Sequence, residues 1–120
     1  MRQIKIIAGD ISAVAELSDG KTSDAIWDSL PIENPVNTWG DEIYFTIPVA
    51  SALDEAAKEV VEKGDLGYWP TGKAFCIFFG PTPASQGDEI RPASAVNIVG
   101  RVEGNTDVFK RVRDGERSEE

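Results

Sequence analysis

Gly64-Asp65-Leu66-Gly67-Tyr68-Trp69-Pro70 passes through Thr71-Gly72 into Ala74-Phe75-Cys76-Ile77-Phe78-Phe79-Gly80-Pro81. Two apolar runs flank a Pro/Gly turn, which is the pattern of a β-hairpin. Strand side chains alternate, so Phe75, Ile77 and Phe79 share one face and Ala74, Cys76 and Phe78 the other. Downstream lies a polar, proline-containing loop from Pro81 to Pro92, then an apolar strand from Val96 to Val102. Asn105 or Thr106 caps a final helix over 105–113, with Asp107 in its first turn and Lys110, Arg111 and Arg113 in its last. Val108, Phe109 and Val112 form its apolar stripe.

Upstream the same alternation continues. Ile4, Ile6 and Ala8 mark a first strand, Gly9-Asp10 a turn, and Ile11 to Leu17 a second strand. Thr22 or Ser23 can cap a short helix over 23–30, which Pro31 stops. Glu42 to Ile47 is a strand with Ile43, Phe45 and Ile47 on one face and Glu42, Tyr44 and Thr46 on the other. Residues 51–63 conflict. Leu53, Ala56, Ala57, Val60 and Val61 match a helical stripe, which predicts a helix through Lys58, yet helix and strand both remain open over 54–62. About eight strands against two or three short helices predict a mainly β protein, a closed β-barrel with helical plugs. Its core should hold Ile43, Phe45, Ile47, Phe75 or Phe78, Ile98 and Phe109.

Composition narrows the function classes. The 120 residues contain 41% hydrophobic residues, enough for one cored domain over 1–115, with 116–120 a charged, disordered tail. Twenty-one acidic residues against 12 basic give a formal charge of -9, which disfavours nucleic acid. The opening residues lack the apolar core of a signal peptide, and no apolar run approaches the ~20 residues of a membrane span. A cytoplasmic protein is the expectation. Without histidine, Ser-His-Asp and Cys-His systems and His/Cys zinc sites are excluded. Cys76, flanked by apolar residues, reads as a small buried hydrophobe. The adjacent acidic pairs Asp41-Glu42 and Asp88-Glu89 read as exposed charge, so neither a metal nor a cofactor is expected.

Asn97-Ile98-Val99-Gly100-Arg101-Val102-Glu103-Gly104 and the helix after it resemble the V-V-F-G-K-V-x-x-G strand and terminal helix of cyclophilins. Gly64 to Pro70 resembles their G-x-L-S-M-A-N strand, and Cys76-Ile77-Phe78-Phe79 their S-Q-F-F. Nearly the whole chain is more similar still to a small prokaryotic cyclophilin-like family of unknown function. That family carries W-G-D-E-I-Y-F, G-D-x-x-Y-W-P-x-G-x-A, F-F-G-P-T-P and D-E-I-R-P-A-S, found here at Trp39 to Phe45, Gly64 to Ala74, Phe78 to Pro83 and Asp88 to Ser94. The resemblance implies an eight-stranded closed barrel. It also implies what is missing. Cyclophilins polarise the substrate amide with the arginine of an F-H-R motif, and no F-H-R occurs here. By the same resemblance Ile77 replaces the assisting glutamine, Arg91 the groove tryptophan and Val96 the groove histidine, while Phe79 keeps a groove residue's identity.

The expected function is therefore a non-catalytic module that binds a small molecule or peptide; the alternative is a weak or altered peptidyl-prolyl cis-trans isomerase. Nucleic-acid and membrane partners are not expected, and the oligomeric state is left open. The expected ligand site gathers Trp39, Tyr44, Tyr68 and Trp69, with Arg91 as a planar donor. The alternative for the rings is burial in a second cluster.

Overall fold

A computed structural model describes residues 2–9, 11–112 and 117–119. Its strands are β1 (Arg2–Ala8), β2 (Ile11–Leu17), β3 (Glu33–Pro35), β4 (Asn37–Thr38), β5 (Glu42–Thr46), β6 (Asp65–Trp69), β7 (Ala74–Phe78), β8 (Asn97–Val102) and β9 (Arg117–Glu119). One α-helix, α1 (Lys21–Ser29), and two 3-10 segments, Pro70–Gly72 and Thr106–Arg111, complete the described residues. The strands form one antiparallel sheet in the order β3-β9-β1-β2-β8-β6-β7-β5-β4.

The chain is mainly β, as its alternation predicts, but the sheet is an open half-barrel and not the closed eight-stranded barrel expected. Its ends are β3 and β4, which are consecutive in the chain with Val36 between them. Both are very short, and Pro35 has no N–H to offer a ladder. A side chain links β3 to β5 here, since Asn34 Nδ2 donates to the Thr46 carbonyl at 2.5 Å.

The concave face encloses the core. Ile4, Ile6, Leu17, Ile43, Phe45, Leu66, Phe75 and Ile77 all face inward, and Ile26 of α1 and Phe109 of the Thr106–Arg111 turn plug the space. The Phe45 and Phe75 rings lie 5.4 Å apart and those of Phe79 and Phe109 5.9 Å apart, both tilted. Burying each such ring is worth roughly 1.5–3 kcal/mol. Gly100 lets β8 press onto β2: a Cβ there would stand 2.0 Å from the Glu16 carbonyl oxygen.

Five local expectations change. Residues 51–58 are not helical: Leu53 and Val60 are 50% and 42% exposed. The buried Asn97 amide ties this segment down as irregular chain with a turn at Glu55-Ala56, accepting from Asp54 N at 2.8 Å and donating to Ala52 O at 2.9 Å. Isolated bridges pair Lys58 with Val96 and Val61 with Ile90. Ile98 is only half-buried, because a bulge at Leu66/Gly67 shifts the pairing and turns Val99 inward instead. α1 begins after Gly20 and has no side-chain cap; Ser23 lies buried, donating to the Val99 carbonyl at 3.1 Å. The last helix is 3-10 and runs over Thr106–Arg111, capped by Asn105 as expected, through a 2.9 Å bond from Asp107 N. Its expected end at Arg113 lies outside the described residues, as do Asp10 of the first turn and Glu116 and Glu120 of the expected free tail. Within that tail Arg117–Glu119 form β9, laddered to β1 and β3.

Candidate functional site

β5, β7 and β6 lie side by side, and strand alternation gives them a second, outward face. Cys76, Ala74 and Phe78 of β7 point there with Tyr44 of β5 and Trp69 of β6. Two extended segments cover part of this face, bringing Val61, Ile90 and Val96. The cover is incomplete over Trp39, Tyr44 and Trp69, where the covering segment brings Pro92, Ala93 and Val96. A cavity of about 230 Å³ remains, lined by Trp39, Glu42, Tyr44, Trp69, Cys76, Pro92, Ala93 and Val96.

The walls are held in place. Trp69 Nε1 donates to Ser94 Oγ at 2.6 Å, and the far edge of its ring lies over Gly72, where a Cβ would come within 2.8 Å of the indole. Trp39 is tied to β5 through its backbone N–H, which donates to the Glu42 carbonyl at 2.9 Å across the Gly40 turn. Glu42 is 5% exposed, and its Oε1 has no hydrogen-bond partner. Burial pushes this carboxyl up from its ordinary 4.5 to about 7, against a smaller opposing contribution from the Cys76 thiol. The fully buried Cys76, whose thiol donates to the Ala74 carbonyl at 3.9 Å, is itself pushed up, by burial first and then by the neighbouring Glu42 charge. Its thiol therefore stays protonated at neutral pH and is a poor nucleophile.

Three of the five sequence-predicted site residues meet: Trp39, Tyr44 and Trp69. Tyr68 does not join them. It is fully buried on the inner face beside Leu66, and its hydroxyl donates to the Val49 carbonyl at 2.5 Å. Arg91 precedes the lining residue Pro92, but its guanidinium grips Glu89, with Nε to Oε1 at 3.2 Å and Nη2 to Oε2 at 3.1 Å. That pairing lowers the Glu89 pKa and raises that of Arg91. Glu42 is the lining residue that the sequence reading treats as ordinary exposed charge. The signal was in its cross-strand partners: Glu42 pairs with Phe78 and Tyr44 with Cys76, so the outer face it occupies is apolar. Ile77 and Phe79, matched above to groove positions of cyclophilins, both lie in the inner core. Among the described residues no three His, Cys, Asp or Glu side chains converge on a metal position.

A family model described as Cyclophilin-like matches residues 2–119. The chain belongs to the cyclophilin-like family. The fold of this family is shared by a solved relative, the solution structure of a hypothetical protein from Archaeoglobus fulgidus. It is 46% identical, with a TM-score of 0.83, and the match covers 98% of this chain and 91% of that one. No curated protein matches the chain. Among the described residues of this cyclophilin-like chain, no helix is long and apolar enough to cross a membrane.

Proposed function

We propose that this cyclophilin-like protein is a non-catalytic module that binds a small molecule or a short peptide in the outer cavity. One observation carries the reading: Glu42, whose carboxyl is buried with one oxygen partnerless, lines a cavity walled by two indoles and a phenol. Concave, mostly apolar spaces with one placed polar group are the usual form of small-ligand sites. An orphaned buried acceptor costs about 1–3 kcal/mol, and a ligand bearing a donor relieves that cost. Catalysis of prolyl isomerisation is disfavoured by the same lining. It holds no cationic side chain, and a positioned donor to the twisted amide is typically worth ~10²–10³ in rate.

The three tryptophans make the test internal. Trp39 and Trp69 line the cavity, while Trp27 lies elsewhere, packed under Arg2 at 5.4 Å. Indole N–H signals are followed by NMR while small fragments and proline-containing peptides are titrated in. The expected result is saturable movement of Trp39 and Trp69 together with Trp27 still. Movement of Trp27 alone, or stillness of all three throughout, defeats the reading. Cyclophilin-like acceleration of a Xaa-Pro peptide would install the isomerase in its place.

A further inference from the structure

We propose that the cavity's occupant is an organic ammonium cation, seated against Trp39, Tyr44 and Trp69 with its charge facing the Glu42 carboxylate. This rests on the cavity being a binding site and adds the class of ligand. Three features of the lining converge on it. First, Glu42 supplies the lining's charged side chain, and its Oε1 is buried without a partner. Second, three ring systems surround the same space, and ring faces attract cations most strongly where water is excluded. Third, the guanidinium of Arg91, next in sequence to the lining residue Pro92, is already bound by both oxygens of Glu89, so an anion entering the cavity would meet a carboxylate and find no cation in its lining. A neutral apolar occupant would fill the space but leave Oε1 orphaned. The net charge of -9 adds a field that draws cations rather than anions.

The carboxylate must be ionised to act. Facing it are the Cys76 thiol from β7 and the Tyr44 phenol on its own strand; β6 contributes Trp69, and the covering segment Pro92, Ala93 and Val96, none of them titratable. Because the carboxyl titrates near neutrality, a cation would draw its proton off. Binding should therefore tighten with pH and release protons.

The test uses choline and its neutral tert-butyl analogue, in which carbon replaces nitrogen, on the full chain by calorimetry and indole NMR. Choline should move the Trp39 and Trp69 signals and bind at least about tenfold more tightly than the neutral analogue. Its affinity should fall about tenfold between about pH 8 and about pH 6, tracking the ionised fraction of Glu42, while that of the analogue stays flat. In Glu42→Gln the preference for choline should shrink to what the rings alone supply and lose its dependence on pH, with binding of the analogue retained. Equal binding of the two compounds by the wild-type chain, or choline binding unchanged in Glu42→Gln, overturns the cation inference and leaves the cavity as a binding site. Failure of both compounds to move the indoles also overturns it. The broader reading falls only if the fragments and peptides of the earlier titration fail as well.

Discussion

On the inner face of β5, β7 and β6, Ile43, Phe45, Leu66, Tyr68, Phe75 and Ile77 are each at most 1% exposed. On the outer face of the same strands Tyr44 and Trp69 remain half-exposed around a cavity, and a carboxyl is buried without a full set of partners. The backbone is shared and the side chains come from the same strands, so the difference lies in what covers each face. The inner face meets the rest of the sheet and two helical plugs, whose large apolar residues interdigitate. The outer face meets extended segments held by isolated bridges, with Pro92 and Ala93 set against large rings. Small residues over large ones leave space. Stability thus resides on one side of these strands and the candidate for binding on the other.

The contrast breaks most sharply at Phe45. Phe45→Ala should cost ~3–5 kcal/mol, since the ring is fully buried and packed against Phe75. Urea unfolding measures it. A loss under about 1 kcal/mol would mean that the inner face is loosely packed and that the two faces do not differ as described.

Glu42 gives the next largest effect, of opposite sign. Its folded-state pKa of about 7 lies above the ordinary 4.5, so the folded protein holds this proton more tightly than the unfolded chain. Its share of stability is fully present below about pH 4.5 and is lost as pH rises toward and through 7. The shift corresponds to about 3 kcal/mol between these limits. Glu42→Gln removes that dependence. The variant should therefore be more stable than the wild type by about that amount above pH 8, with the gap closing toward pH 5. Parallel pH–stability curves for the two proteins would show that the carboxyl is well solvated and that the outer face is not apolar at that depth.

Much of this arrangement is legible in the sequence, for a physical reason. Where a strand buries one face, the period of two is enforced by the core, and Ile43, Phe45, Ile47, Phe75 and Phe109 fall where alternation and spacing place them. Three things were not legible. The helical stripe at 51–58 loses to a tertiary partner, the Asn97 amide, which ties the segment down in a non-helical path although no local signal names it. Ile98 yields to Val99 because a one-residue bulge inverts the faces of β8. The outer face hides because its residues are covered from afar, by segments whose bridges at Val96 and Ile90 have no periodic signature. A charge in an alternating strand reads as solvated unless the cover over it is known, and so Glu42 escapes notice while its aromatic neighbours do not.

The two tyrosines of the chain sharpen the comparison at its finest scale, because one stands on each face. By sequence both are amphipathic rings expected off the core. For Tyr68 that reading fails because its hydroxyl finds the Val49 carbonyl inside the core at 2.5 Å, which lets the ring be buried completely. Tyr68→Phe keeps the ring and leaves that carbonyl without its donor, and should cost about 1–2 kcal/mol. Tyr44→Phe alters a half-exposed cavity wall within reach of water, and should change stability by less than about 0.5 kcal/mol. Denaturant midpoints of the two variants decide it. A costly Tyr44→Phe would place the outer hydroxyl in the folding framework, so that the cavity wall could no longer be separated from the scaffold. A neutral Tyr68→Phe would show that the Val49 carbonyl is satisfied by other means, and that Tyr68 is interior for its ring alone.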